Sequence, residues 1–298
     1  MRVDPLYHLN TASQLGQLSG QETTLTSQLA SGLRVAKASD DPTAASTSIR
    51  LGSTIARDDA YVQASTGIQS KLQVADSALS SVVTQITSAV ALAVQGTNGT
   101  LNSANLQAIS QQLAGIRDEV VSLANTSYAG NYLFSGTSNT QPYSTETSTS
   151  PAVSTYAGDA NQQYTMAPGG QTMVTSLAGS AVFSASGADV LGSLNRLIAD
   201  FASGTASSTS VDDLNELRSS LDNVTSQRSV LDASLNSLSL TTTYTSTEQT
   251  NLQASQSTLV AADSAQVATS LSNVETQRQA LLSAATIVGK TSLFDYMQ

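Results

Sequence analysis

The 298-residue sequence contains no cysteine and no tryptophan, and only 11% of its residues are charged. Without cysteine there is no disulfide, no thiol nucleophile and no cysteine-ligated metal. Aromatic residues make up 4% of the chain, so a large aromatic core is not expected. The 12 basic residues are outnumbered by 22 acidic ones and form no cluster. This balance argues against a nucleic-acid partner, because phosphate binding needs grouped Lys and Arg.

Features of membrane proteins and of enzymes are also missing. There is no run of about 18 apolar residues, and residues 1–5 show no apolar signal-peptide core, so we expect neither a membrane span nor a cleaved secretory signal. One histidine, His8, and adjacent acidic pairs at 58–59 and 212–213 provide no convergent acid–base groups. Phosphate-binding, zinc and calcium motifs do not occur. The sequence therefore predicts no enzyme, no cofactor and no metal.

Apolar residues at alternating steps of about three and four mark one helix near each end of the chain. The C-terminal helix is expected over about 263–288, between a cap at Asp263 and a stop signal at Gly289. Both seams are narrow, so each helix needs a partner, and the best candidate is the opposite terminus. Two ordinary amphipathic helices of a globular protein are the alternative. The candidate assembly interface consists of Leu15, Leu18, Leu25, Leu29, Val267, Leu271, Val274, Arg278, Leu281 and Val288.

Two much longer helical patterns lie inside the terminal ones. The first spans about 42–94 and begins at an aspartate–proline cap, and the second spans about 211–259. A third helix over about 102–125 is expected to fold back antiparallel on the first. Arginine interrupts two seams, at Arg228 and Arg278. We expect both side chains to extend outward to solvent; the alternative is that each sets register or pairs with an acid across an interface.

Between the long helices the sequence pattern changes from helical to alternating. Tyr132 and Phe134 are expected on one face of a β-hairpin. Residues 137–186 are rich in Ser, Thr and Gly and lack a helical seam, so we expect a small outward-facing β domain that the bundle does not need for folding. Disorder is the alternative, because few large apolar residues are available. The expected strands are Val153–Tyr156, Gln163–Met166, Thr172–Val174 and Ala181–Phe183.

The predicted fold is mainly α, a long antiparallel helical bundle or coiled coil formed by the N- and C-terminal parts, with a small inserted β domain. We expect isolated terminal helices of about 25 residues to be marginal in water, so that residues up to about 37 and from about 263 fold only on assembly. The expected domains are a terminal helical assembly domain (1–41 and 262–298), a long helical bundle with a β-hairpin (42–136 and 187–261) and a β-rich outer domain (137–186).

Three segments resemble a known family. They are LASGLRV at 29–35 followed by DDP at 40–42, LANTSYAGNYLFSG at 123–136, and NVETQRQALL at 273–282 with the tail GKTSLFDYM at 289–297. These segments are similar to the flagellar hook-filament junction proteins of the flagellin superfamily. The resemblance covers about the first 136 and the last 90 residues. Flagellins share the N-terminal signature but usually end in a different tail.

The resemblance implies an extracellular structural subunit of the bacterial flagellum that joins the hook to the filament and is exported without a cleaved signal peptide. It also implies a ring of identical subunits, contacts with a neighbouring hook-associated protein and with flagellin, and an export chaperone on the C-terminal segment. Flagellin itself is one alternative, and a secreted helical-stalk adhesin or effector is another. Neither nucleic acid nor a membrane is an expected partner.

Overall fold

A computed structural model describes the backbone of residues 5–294 and the side chains of residues 9–287. The chain divides into two compact units. The terminal unit comprises the described parts of Met1–Ala56 and Glu248–Gln298, and the central unit is Arg57–Thr247. The helices are α1 (Pro5–Ser31), α2 (Pro42–Thr97), α3 (Ser103–Ala124), α4 (Gly179–Phe183), α5 (Val190–Ala202), α6 (Ser208–Val260) and α7 (Ser264–Phe294).

Helix ends in the terminal unit follow local sequence signals. α1 stops before Gly32, whose positive φ of 67° suits a glycine just beyond a helix end. α2 begins at Pro42, and the preceding Asp41 accepts a hydrogen bond from the Ala44 amide at 3.0 Å, as an N-cap residue does. The stop predicted at Gly289 is wrong, because α7 continues to Phe294. A glycine inside a helix costs only about 1 kcal/mol, and no proline follows to end it.

Four helices share one apolar core in the central unit. α3 and α5 run antiparallel. Ser110 donates to the Ile198 carbonyl at 2.8 Å, and further along α3 Arg117 donates to Asn195, which lies earlier in α5. α2 and α6 contribute their apolar stripes to the same cluster, so the two long helices and α3 share one core as predicted. The helix that packs most closely against α3 is α5, a pairing that the sequence did not predict. The fully buried members include Leu79, Val82, Ile86, Leu113, Val120, Leu194, Leu197, Phe201, Leu217 and Val224.

One helix, α2, is long and apolar enough to cross a membrane by length and composition, with a best window of mean hydropathy 1.6. Its apolar residues Leu79, Val82 and Ile86 are fully buried in the core of the central unit. Burial inside the protein covers 33% of that window, so packing accounts for only part of its apolar composition.

The β structure consists of short antiparallel pairs. Three of the predicted strands are confirmed with small shifts at their ends, but residues 181–183 belong to α4. Val182 and Phe183 are both fully buried, which the alternating pattern of a half-exposed strand does not allow. The pairs are β1 (Ser127–Tyr128) with β2 (Asn131–Tyr132), β3 (Tyr143–Glu146) with β4 (Val153–Tyr156), β5 (Tyr164–Met166) with β6 (Thr172–Val174), and β7 (Ser184–Ala185) with β8 (Ala188–Asp189).

The segment 137–186 is not the separate outward-facing domain that the sequence suggests. Its Tyr143 and Phe183 are fully buried and belong to the same apolar cluster as the helices. The Asn125 amide at the end of α3 donates to the Tyr143 carbonyl at 2.9 Å and accepts from its N–H at 2.8 Å. On α6, Asn223 donates to the Ala181 carbonyl at 2.9 Å. Part of this segment, including the large side chains of Tyr143 and Phe183, therefore belongs to the helical core.

Candidate assembly interface

α1 and α7 pair in antiparallel fashion in the terminal unit. Leu18 lies with Leu281 along one groove of the pair, and Leu25 lies with Val274 along another. Residue numbers thus rise along α1 as they fall along α7, which is the geometry of an antiparallel coiled coil. The prediction that each terminal helix pairs with the other is confirmed.

The pairing only partly covers the predicted seam residues. Val267 and Val274 are buried at 8% exposure each, whereas Leu29 is exposed. Val288 lies on α7, but its side chain is outside the described residues. The remaining members are half-buried, namely Leu15, Leu18, Leu25, Leu271, Arg278 and Leu281. Leu29 and the half-buried seam residues therefore still meet solvent in the single chain.

Arg278 forms an ion pair with Glu22 across the two helices. The expectation that Arg278 extends to solvent is wrong, and the alternative of an acid partner across an interface holds. Arg228 in the central unit also pairs with an acid, so the same expectation is wrong for it. Its Nε lies 2.6 Å from a carboxylate oxygen of Asp76, and this hydrogen bond raises the pKa of Arg228. Pairs this exposed stabilise by about 0–1 kcal/mol, so the Glu22–Arg278 pair acts mainly on the register of the helices.

Sequence reasoning missed Glu22 as a member of the seam. Partial burial on α1 recurs at Thr11, Leu15, Leu18, Glu22 and Leu25, with the same steps of three and four. Glu22 occupies the position between Leu18 and Leu25 at which that spacing requires an inward residue. The spacing alone, without regard to residue type, would have found it.

Other apolar side chains of α1 and α7 lie outside the seam and are exposed. Leu9 is 67% exposed, Ile287 is 65% exposed and Leu282 is 43% exposed. Single exposed apolar residues are ordinary, but these flank a seam that is itself only half covered. The helix pair therefore leaves several large apolar side chains exposed beside its seam.

The connector between α1 and α2 is fastened to the end of α6. Arg34 donates to the Leu259 carbonyl at 3.0 Å and pairs with Asp41 at 3.1 Å. The Ala262 amide donates to the Gly32 carbonyl at 2.9 Å. The pKa of Asp41 is lowered, first by the hydrogen bond from the Ala44 amide and then by Arg34. These contacts give the LASGLRV and DDP segments a structural role in the terminal unit.

Within the described residues, no group of three or more His, Asp or Glu side chains is placed to hold a metal ion. What the terminal unit offers is a surface formed by two paired helices.

Comparison with known proteins relates this architecture to flagellar components. The family model for the bacterial flagellin N-terminal helical region matches residues 6–139. Flagellar hook-associated protein 3 of Escherichia coli K12 is 31% identical over 235 residues, which cover 71% of this chain and 72% of that protein. Flagellar hook-associated protein 3 of Salmonella typhimurium LT2 is 34% identical over 158 residues, which cover 52% of this chain and 48% of that protein.

The fold is also similar to a solved structure of flagellar hook-associated protein-3 from Legionella pneumophila. The TM-score is 0.61, and the match covers 70% of this chain and 98% of that one. At 14% sequence identity this similarity shows a shared fold.

Proposed function

The chain belongs to the flagellar hook-associated protein 3 family, and we propose from this membership that it is a structural subunit joining the flagellar hook to the flagellin filament. The observation that supports an assembly role most directly is the α1–α7 pair. Its seam is half covered in one chain and is flanked by the exposed Leu9, Leu282 and Ile287. Neighbouring subunits would supply the missing apolar partners.

Assembly through these helices couples their folding to subunit contact. Ordering a residue costs about 1–2 kcal/mol of backbone entropy. Among the described side chains of α7 only Val267 and Val274 are well buried in the two-helix contact, which offsets little of this cost. We therefore infer that α1 and α7 are marginal in the free chain and become stable in a ring of identical subunits. Hydrogen exchange of the free protein tests this, since protection of α1 equal to that of α3 would contradict it.

The partners in this proposal are copies of the same chain, a neighbouring hook-associated protein and flagellin. A chaperone that covers the C-terminal segment before export fits the same surface, because exposed apolar helices invite premature association. The proposed location is outside the cell, at the junction of hook and filament, reached by flagellar export without a cleaved signal peptide. The flagellin alternative is less supported, since both curated relatives are hook-associated proteins 3.

The decisive experiment is complementation of a bacterial strain that lacks its own copy of the gene. Leu25→Asp and Leu281→Asp place a carboxylate in the half-buried seam and should abolish filament attachment and swimming. Leu240→Asp is the matched control, because Leu240 is 73% exposed on α6 in the central unit. All three proteins should retain the thermal unfolding of the central unit. Normal filaments with both seam variants would contradict the proposed interface.

A further inference from the structure

A cavity of about 470 Å³ lies on the surface of the central unit, within the size range of small-molecule sites. Its floor is one turn of α2 around Gly67 and Lys71, and its walls are the β1–β2 hairpin and the loop after it. A side chain at Gly67 would meet no heavy atom within 4 Å, so the space above the helix is open. None of the residues that line this cavity belongs to α1 or α7.

Lys71 is a cation without an acidic partner in this cavity. Its Nζ donates to the Gln163 side-chain carbonyl at 3.0 Å, and in the described part of the chain no carboxylate lies within salt-bridge distance of it. By contrast, Arg228 of the same unit reaches Asp76. Burial lowers the pKa of Lys71, because the charged form is partly desolvated without a compensating anion.

The position of Lys71 is held by the amide of Gln163. The same amide that accepts from Nζ donates to the Gly136 carbonyl at 3.4 Å. An ammonium group has three donors, and Gln163 uses one of them. Two donors are left for a ligand, and an anionic oxygen is the acceptor that a partly desolvated ammonium gains most from.

The remaining walls favour a ring that carries hydroxyl groups. They combine the side chains of Tyr128 and Tyr132 with the amides of Asn131 and Asn139. Asn139 already accepts from the Tyr132 N–H and donates to the Gly130 carbonyl, which leaves one acceptor site and one donor of its amide for a ligand. An amide side chain both donates and accepts, so it matches a hydroxyl, which does the same. Tyrosine supplies an apolar face for the C–H side of a sugar ring and a polar tip.

An extended peptide is a poorer match for this cavity. Two common ways of binding a peptide are to add it as a strand to a free sheet edge and to insert its apolar anchors into pockets. The only strands at the cavity, β1 and β2, have two residues each, and among the lining side chains Ile68 is the single large aliphatic one. The shape and chemistry therefore select a compact polar ligand.

We propose that this cavity binds an acidic sugar, with the carboxylate on the Lys71 ammonium and the ring hydroxyls on the asparagine amides beside the two tyrosine rings. Uronic acids are the simplest members of this class. The site adds a carbohydrate-binding function to the central unit and is independent of assembly through the terminal helices.

Titrations of the isotope-labelled full-length protein, followed by amide NMR shifts, test the proposal. Glucuronate should give saturable shifts confined to the cavity in the millimolar range. Glucose, which lacks the carboxylate, and acetate, which lacks the ring, should each bind at least about tenfold more weakly. Lys71→Met should weaken glucuronate binding by a similar factor, and Lys37→Met, an exposed lysine of the terminal unit, should not.

A second variant covers the case in which Lys71→Met fails to fold. Gln163→Glu places an internal carboxylate beside the ammonium, so it should preserve the fold and block glucuronate. The proposal is overturned if glucuronate gives no saturable shifts at the cavity or if either cavity variant binds it like the unaltered protein. Acetate binding as tight as glucuronate, or a short glutamate peptide binding more tightly than glucuronate, would also overturn it.

Discussion

Replacing Tyr143 by alanine tests whether the β-rich segment belongs to the core of the central unit. Tyr143 is 1% exposed although it lies in a segment that is poor in apolar residues. Its ring packs edge-on against Phe183 at 5.6 Å and lies 5.1 Å from that of Tyr156. The hydroxyl donates to the Gly179 carbonyl at 2.9 Å and lies 2.7 Å from the Ser184 hydroxyl. Burial strongly raises the pKa of this phenol.

The expected cost combines a cavity and a lost hydrogen bond. Truncating a fully buried aromatic residue to alanine costs about 3–5 kcal/mol. Leaving the Gly179 carbonyl without its donor adds about 1 kcal/mol or more, and Tyr143→Phe isolates this part. For a unit of about 190 residues, each kcal/mol lowers the melting temperature by about 2–4 °C. Tyr143→Ala should therefore lower it by about 8–24 °C.

The assay is thermal or urea unfolding followed by circular dichroism at 222 nm, a wavelength at which the long helices dominate the signal. Tyr164→Ala is the matched control, because Tyr164 lies in the same segment but is 62% exposed, and it should change the free energy of unfolding by less than about 0.5 kcal/mol. An unchanged helical transition in Tyr143→Ala would show that 137–186 folds apart from the bundle. A separate early transition would refute the shared core equally.

Two further predictions concern single contacts. Gly96→Ala should destabilise the central unit by about 1–3 kcal/mol, because the new methyl group would lie 2.5 Å from the Phe201 ring. The new methyl group in Gly115→Ala meets nothing within 4 Å, so this variant should stabilise α3 by up to about 1 kcal/mol. The urea midpoints of the two variants should therefore shift in opposite directions. Hydrogen bonds lower the pKa values of Asp41 and Asp159, chiefly those from the Ala44 amide and from Thr137 respectively. Each ionised carboxylate therefore stabilises the folded state fully above the unfolded pKa of about 3.9. This stabilisation is lost as the pH falls through the lower pKa of the folded state. Urea midpoints at pH 2–6 should therefore fall at the acid end, and replacing either aspartate by asparagine should flatten that fall.

Local patterns in the sequence were sufficient to predict where the long helices lie. Periodicity placed α2, α3 and α6 within a few residues of their ends, because helical spacing and capping depend on neighbours a few positions apart. The N-cap at Asp41 could be read in the same way. The narrow terminal seams also indicated two helices that need partners. The segments that resemble hook-associated proteins indicated the family to which the chain belongs.

Tertiary structure decided what depends on contacts between distant positions. Glu22 and Arg278 are 256 residues apart, and no local pattern says that the arginine meets an acid instead of solvent. Tyr143 sits in a segment of low hydrophobicity, and only its contacts with the end of α3 and with α4 make it a core residue. The helix at 179–183 arises because Val182 and Phe183 both face the core. Such positions are fixed by shape and burial in three dimensions, which composition and short-range periodicity do not encode.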